Sequence, residues 1–294
     1  MVLHDKCPLC SSDQISFYLR CRDHLKSKEE FDLWKCSICR FIFTQGHPDE
    51  NEIGSYYESD DYISHDDRAT GFINRIYLLA RDFMLRRKLR IVCKATGVKK
   101  GKILDIGCGT GYFAATMIKG GWDVTGIEPN TKARDFASHH FGIDVRKPEE
   151  ISSLPSGYFD CVTMWHVLEH LEDPTGYAAE ILRLLKPGGV CLAALPNCSS
   201  FDAKYYREYW AAYDVPRHLR HFTPETFSVF AEKTGFQLSG IQPLPLDVFY
   251  ISMLSEKFKG TQLHVLTGLT KGLLFAILSL FKKGKSSSLI YFLR

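Results

Sequence analysis

The sequence lacks the features that assign a chain to the secreted or membrane-spanning classes. Residues 1–10 are largely polar, whereas a secretory leader needs an apolar core of roughly 7–15 residues. The most apolar stretch, 261–281, is interrupted by Lys271, so neither side reaches the ~20 residues of a spanning helix. The formal net charge is only +3 over 294 residues. These absences predict a cytoplasmic globular protein whose ten cysteines stay reduced.

Cysteine spacing is the first positive signal in the chain. Two CxxC pairs are separated by 25 residues, and their members are Cys7, Cys10, Cys36 and Cys39. Four thiolates at this spacing are typical of a structural Zn²⁺ site, so residues 1–48 are predicted to form a small zinc ribbon. Cys21 and His24 lie between the pairs and are alternative ligands. The first fifty residues carry seven basic and eight acidic side chains, which argues against RNA docking through this module.

A glycine turn between a predicted strand, 101–106, and a predicted helix, 112–120, indicates a nucleotide-type site. Glycine serves there because a Cβ would hold the ligand away from the main chain. Tyr112 stands where a dinucleotide site needs Gly or Ala, and the acidic Asp105 beside the turn favours a positively charged ligand. Glu128 ends the next strand, where a carboxylate can accept hydrogen bonds from two ribose hydroxyls.

Five segments carry a family resemblance, and their order and spacing agree with one pattern. They are DIGCGTG at 105–111, GIEP at 126–129, YFDCVTMW at 158–165, HVLEHLEDP at 166–174 and ILRLLKPGGV at 181–190. Together they resemble the class I S-adenosylmethionine (SAM)-dependent methyltransferases, over about residues 101 to 245.

The resemblance implies a Rossmann-like α/β fold with a seven-stranded, doubly wound sheet, and SAM as the cofactor. Asp105 and the glycine turn would line the methionine end, Glu128 would bind the ribose, and Pro129 would flank the adenine. The residues after the fourth strand would lie under the cofactor. The implied cofactor-binding residues are Asp105, Gly107, Cys108, Gly109, Gly111, Glu128, Pro129, Trp165, His166 and Val167.

The remaining segments are predicted to surround this core. Residues 49–100 are expected to be a helical lid or linker, and 101–294 the methyltransferase domain, with a seventh strand in 286–294. Residues from about 247 to 285 are predicted to be a helical insertion in this domain. Its role could be a lid, a dimer surface or a peripheral membrane contact through 257–285. Three tyrosines and a histidine before the core are expected either at the active-site mouth or in the contact that packs the zinc ribbon on the core: Tyr56, Tyr57, Tyr62 and His65.

Two loops beyond the strand ends supply candidates for the acceptor chemistry. An oxygen or carbon nucleophile needs a general base, worth roughly 10²–10⁴-fold in rate. The candidate bases are His166, His170, His218 and His221. An aromatic cluster predicts a wall for an aromatic or apolar small molecule: Tyr205, Tyr206, Tyr209, Trp210 and Tyr213.

The sequence therefore predicts a methyltransferase (EC 2.1.1.-) that moves a methyl group from SAM to a small-molecule acceptor by in-line displacement, on oxygen or carbon. Nucleic acid is not expected as a partner. Two alternatives stay open, namely an RNA methyltransferase that docks through the zinc ribbon and a SAM-binding protein without catalysis. The sequence does not fix the oligomeric state.

Overall fold

The computed structural model describes residues 1–49, 52–57 and 72–294, with backbone alone for 72–77. Tyr62 and His65 lie outside this part. The strands are β1 Ile15–Arg22, β2 Glu30–Cys36, β3 Ile42–Gln45, β4 Lys102–Ile106, β5 Asp123–Ile127, β6 Asp144–Arg146, β7 Phe159–Trp165, β8 Leu185–Pro196, β9 Arg220–His221, β10 Leu238–Leu244 and β11 Ser288–Leu293. The helices are α1 Gly54–Tyr57, α2 Phe72–Thr96, α3 Tyr112–Lys119, α4 Thr131–Phe141, α5 Pro174–Leu184, α6 Phe201–Tyr206, α7 Pro224–Lys233, α8 Asp247–Phe258 and α9 His264–Phe281.

The predicted seven-stranded sheet is confirmed. Its strand order is β10-β11-β8-β7-β4-β5-β6, with β4 to β8 parallel and β11 antiparallel to both of its neighbours. β11 fills the place expected for a strand in 286–294. The carboxyl ends of β4, β5 and β7 therefore meet at one edge, where ligands bind in such sheets.

The central strands are buried on both faces of the sheet. Side chains alternate along a strand, so neighbouring residues of one strand pack in different clusters. In β4, Ile103 packs in the cluster formed with α2 and α3. Its neighbours Leu104 and Ile106 belong to a second cluster, on the opposite face. This double burial explains the nearly continuous apolar run of a parallel strand.

The ribbon module shares both a sheet and a core with the main domain. Strands β1, β2 and β3 of the ribbon and β9 of the main domain form a four-stranded antiparallel sheet in that order. Ile42 of β3 pairs with His221 of β9. Cys36 and Phe43 of the ribbon pack in the same cluster as Leu104 of the large sheet. A module of this size has little core of its own, so joining the larger core adds to its stability.

Residues 247–285 contain an antiparallel helical hairpin, α8 and α9. Gly268 and Gly272 of α9 face α8: a side chain at Gly268 would overlap the backbone of Met253, and one at Gly272 would lie 3.0 Å from Cα of Phe249. The missing side chains let the two helices approach closely. The opposite side of α9 faces outwards.

Candidate cofactor and acceptor site

The turn between β4 and α3 is built from backbone that favours glycine. Gly107, Gly109 and Gly111 have φ angles of 69°, 54° and 83°, which glycine adopts without strain. A Cβ at Gly107 would overlap Val167, whereas among the described residues nothing lies within 4 Å of a Cβ built at Gly109. The turn therefore has one open side, at Gly109, where a ligand can touch the main chain.

Glu128 lies across this turn at the end of β5. Its Oε2 accepts a hydrogen bond from the Gly109 N–H and its Oε1 one from the Asn130 N–H, both at 2.9 Å. Burial raises the pKa of Glu128, and the two N–H donors oppose that rise. A carboxylate has about four acceptor sites, so Glu128 can still accept from hydroxyls of a ligand. Pro129 is exposed beside it.

Asp105 lies next to the turn with half of its carboxylate unused. Oδ1 accepts a hydrogen bond from Thr163 Oγ1 at 2.7 Å, while the buried Oδ2 has no hydrogen-bond partner in the part of the chain described. Burial raises the pKa of Asp105 to about 7, against the hydrogen bond from Thr163 and the charge of Lys88. An orphaned buried acceptor beside an open turn fits a ligand with an ammonium group, as the methionine end of SAM has.

Lys88 of α2 also reaches this site, which the sequence analysis missed. Its Nζ lies 4.1 Å from the ring centroid of Trp165, within cation–π range. Burial lowers the pKa of Lys88, and Asp247 and Asp105 oppose that change. No sequence signal separates Lys88 from the other basic residues of this helix.

His166 is held between two carboxylates. Its Nδ1 lies 3.2 Å from Glu169 Oε1 and its Nε2 3.0 Å from Asp247 Oδ2. Burial alone would lower the pKa of His166, but the two carboxylates raise it to about 10. At neutral pH the ring therefore carries a proton on each nitrogen and has no lone pair for another. The general-base prediction is hard to reconcile with this state of His166.

His170 and His218 lie side by side, with ring centroids 4.5 Å apart. His218 Nδ1 is 2.9 Å from the Ala212 carbonyl, and His170 Nδ1 is 3.0 Å from the Arg217 carbonyl and 2.9 Å from Tyr57 Oη. Burial and then the charge of His218 lower the pKa of His170 to about 4. His170 is therefore neutral at pH 7, and both rings remain candidates for proton transfer.

His221, the fourth candidate base, lies in the contact between β9 and the ribbon. It is 4% exposed, and its Nε2 is 3.0 Å from Thr44 Oγ1 of β3. Burial holds the pKa of His221 well below its usual value. Its contacts are those of a residue that joins the two sheets.

The predicted aromatic wall is mostly interior packing. Trp210, Tyr206 and Tyr213 are each 2% exposed and belong to a cluster with ribbon and hairpin residues. Trp210 Nε1 donates to Asp202 Oδ2 at 2.7 Å. The prediction is therefore wrong for these three rings, which fix the loop before β9 instead of facing an acceptor. Tyr205 and Tyr209 are exposed.

A cavity of about 890 Å³ lies between α2, β10 and the hairpin, and none of the predicted cofactor-binding residues lines it. This volume lies in the range of small-molecule pockets. Its lining includes Leu246 and Val248, which flank the Asp247 that contacts His166. The other lining residues include the apolar Ile91, Leu244, Phe249 and Leu280. Basic side chains come from α2, at Arg87 and Lys94, and from Lys283 and Arg294.

The four ribbon cysteines come together as predicted. Cys7 Sγ is 3.5 Å from Cys39 Sγ, and Cys10 Sγ is 3.5 Å from Cys36 Sγ; all four sulfurs lie within 4.8 Å of one another. Tetrahedral Zn–S bonds of ~2.3 Å require sulfurs about 3.8 Å apart, so the set fits a zinc ion. The alternative ligands lie elsewhere: Cys21 packs in another cluster and His24 stacks on Phe258.

Comparison with known proteins gives the family. Residues 77–239 match the methyltransferase domain family. The chain belongs to this family. The ubiquinone biosynthesis O-methyltransferase of Bordetella avium is 34% identical over 169 residues, which cover 53% of this chain and 70% of that protein. The one from Psychrobacter cryohalolentis is 34% identical over 110 residues, 34% of this chain and 43% of that protein. The chain thus spans less than half the length of some curated relatives that it matches.

Solved structures share the methyltransferase fold at low sequence identity. A SAM-dependent methyltransferase from Archaeoglobus fulgidus has a TM-score of 0.50 at 22% identity, over 72% of this chain and 93% of that one. The 1,6-didemethyltoxoflavin-N1-methyltransferase of Burkholderia thailandensis has a TM-score of 0.51 at 16% identity, over 88% and 96%. The [4+2]-cyclase SpnF has a TM-score of 0.50 at 20% identity, over 71% and 79%. Likeness at this level shows the fold alone.

Proposed function

We propose that this methyltransferase-family chain transfers a methyl group from SAM to a small-molecule acceptor. One observation carries the proposal: two buried carboxylates, Asp105 and Glu128, flank a glycine turn that is open at Gly109. A ligand with both a ribose and a cationic amino-acid end matches this arrangement, whereas a pyrophosphate next to Asp105 would be repelled.

Within this proposal, the chain's own residues position the reactants. SAM supplies a methyl group that its sulfonium already activates. Glu128 would accept from the ribose hydroxyls and Asp105 Oδ2 from the ammonium, while His166 and Asp247 hold the start of α8. Holding the methyl donor and the acceptor in line turns a bimolecular reaction into an effectively unimolecular one, which supplies much of the rate enhancement.

The acceptor is proposed to be a small molecule with an apolar part. The cavity next to Asp247 has mainly apolar walls with basic groups at its edges. The names of a similar ubiquinone biosynthesis O-methyltransferase and of a toxoflavin-pathway N-methyltransferase with the same fold indicate small-molecule acceptors. This supports a small-molecule acceptor for the present chain. Both O- and C-methylation are compatible with this pocket.

A structural zinc ion in the four-cysteine cluster is part of the proposal, because four thiolates close the coordination sphere and leave no open position. We also propose that the protein is cytoplasmic. All ten cysteines lie in the described part of the chain and none forms a disulfide, as expected in a reducing compartment.

We further propose that the outer face of α9 rests on an anionic membrane surface. By length and composition α9 could cross a membrane, and 17% of it is buried. Lys271, which interrupts this stretch in the sequence, turns inward to Glu256 at 2.8 Å, so the outward face of α9 stays apolar. The outward residues include Leu266, Leu273, Leu274, Ile277, Leu280 and Phe281, each at least 45% exposed.

Charge favours a membrane over a second copy of the chain as the occupant of this face. Exposed Lys257 and Lys259 lie at one end of α9, and exposed Lys282 and Lys283 at the other. Pairing two α9 helices in either direction would place lysines against lysines. Anionic lipid headgroups would instead attract both ends, by about 1 kcal/mol per lysine near the surface.

The methyltransferase proposal is tested with the full chain, methyl-labelled SAM and a fractionated cell extract. The expected result is label in a small-molecule fraction, more strongly in the lipid-soluble part, and much less label with Glu128→Ala at the same SAM concentration. Label in RNA alone would support the RNA alternative, which predicts binding that weakens steeply with salt. Calorimetric binding of SAM without transfer to any fraction would support the non-catalytic alternative.

A further inference from the structure

A second group of metal-binding side chains lies apart from the ribbon cysteines. Glu169 and His170 are in the short 3₁₀ turn after β7, and His218 is in the loop before β9. The ligand atoms of the three side chains lie within 4.8 Å of one another. Glu169 and His218 are nearly fully buried, at 1% and 8% exposed.

Both imidazoles are already oriented as metal ligands are. A carbonyl oxygen can only accept, so the contact of His218 Nδ1 with the Ala212 carbonyl is a hydrogen bond when that nitrogen carries the proton. His170 Nδ1 lies between the Arg217 carbonyl and Tyr57 Oη, and donation to the carbonyl would likewise place its proton on Nδ1. In that tautomer each ring has its lone pair on Nε2. Histidines that bind metals almost always donate their other N–H in this way, which fixes the tautomer and the ring orientation.

The carboxylate has one oxygen left for a cation. Glu169 Oε1 accepts from His166 Nδ1 at 3.2 Å, whereas the buried Oε2 finds no hydrogen-bond partner among the described residues. An unsatisfied buried carboxylate oxygen is costly, and a cation would satisfy it. Asp214 lies nearby, with Oδ2 3.8 Å from His218 Nε2, and its carboxylate is paired with Arg217 at 2.7 Å.

From this geometry we propose that Glu169, His170 and His218 bind one divalent first-row transition metal ion, such as Mn²⁺, Fe²⁺, Co²⁺ or Zn²⁺. Two imidazoles and one carboxylate suit these ions, whereas Mg²⁺ and Ca²⁺ prefer oxygen ligands. Three protein ligands leave open coordination positions, as catalytic sites do. Binding itself does not depend on the proposed methyl transfer.

Metal content of the full chain tests the proposal. After dialysis against Zn²⁺ and removal of free metal, two zinc ions per chain are expected, one of them in the ribbon. Glu169→Gln and His218→Asn should each retain one; the Asn amide can still donate to the Ala212 carbonyl. His221→Gln, a buried histidine next to the cluster, is the matched control and should retain two.

A measurement without substitutions covers the case in which a variant fails to fold. When Co²⁺ is added to chain whose ribbon holds zinc, visible absorption should appear without the intense thiolate-to-cobalt band, and excess Mg²⁺ should not remove it. The proposal fails if the wild type holds a single zinc and shows no such Co²⁺ spectrum. It also fails if Glu169→Gln and His218→Asn both fold and still hold two ions.

Discussion

Asp105 and Glu128 show how the position of a single residue can be predicted from spacing. Both were placed by their distance from the glycine turn, and the structure puts both carboxylates beside it. Lys88, by contrast, reaches the same place from α2 with no local pattern to mark it. A residue that follows a motif in the chain can be read from the motif, whereas one that approaches through space cannot.

Glu128→Ala is expected to weaken binding of SAM about tenfold or more. The change removes the proposed acceptor of ribose hydroxyls and the two hydrogen bonds that Glu128 accepts from Gly109 and Asn130. Charged hydrogen bonds are worth roughly 1.5–3 kcal/mol each. Isothermal calorimetry measures the effect, with Asp144→Ala at an exposed ion pair as the control. Unchanged affinity in both Glu128→Ala and Asp105→Asn would show that the pocket has been misassigned.

The α8–α9 hairpin illustrates what is decided at the scale of an element. Apolar composition indicated a helix in 261–281, but the face it presents depends on Gly268 and Gly272 packing on α8 and on Lys271 pairing with Glu256. In these contacts the glycines and the lysine of α9 lie on the side that faces α8. The outer side is left apolar with lysines at its ends.

Flotation with vesicles is expected to detect membrane binding by this hairpin. The wild-type chain should float with phosphatidylglycerol vesicles, less so at high salt, and weakly with phosphatidylcholine alone. The double variant Leu273→Glu/Leu280→Glu should bind at least tenfold more weakly, because burying each leucine contributes about 1.5–3 kcal/mol.

Ile38→Glu, at an exposed apolar residue of the ribbon, is the matched control and should float like the wild type. Calorimetric SAM binding reports that each variant is folded. Equal flotation of the double variant, or a stable dimer that this variant dissociates, would contradict the membrane proposal.

At the scale of the whole molecule, the ribbon and the methyltransferase domain form one packed unit. β9 completes the ribbon sheet, and Arg217 of the main domain pairs with Asp23 of the ribbon at 2.9 Å with both side chains buried. Breaking a buried pair is costly, so the two parts are expected to unfold together. The predicted division near residue 48 stays a prediction.

Cys36→Ser should therefore destabilise the entire chain. We expect loss of the ribbon zinc ion and a fall in the melting temperature of the single calorimetric transition by about 5 °C or more, since each kcal/mol shifts a domain of this size by ~2–4 °C. Cys93→Ser, in α2 and outside the cysteine cluster, should keep the zinc ion. A separate ribbon transition below an unchanged main one would mean that the modules are independent.

The sequence by itself determined the glycine turn, the position of Glu128 and the cysteine pairs, because each depends on short spacings that a linear pattern records. The seven-stranded sheet was implied by the resemblance of five ordered segments to a known family. Only the tertiary structure decided the contacts among Glu169, His170 and His218, the protonation of His166 and the burial of Trp210. Glu169 and His218 lie 49 positions apart, and their approach depends on how two loops pack, which no local periodicity encodes.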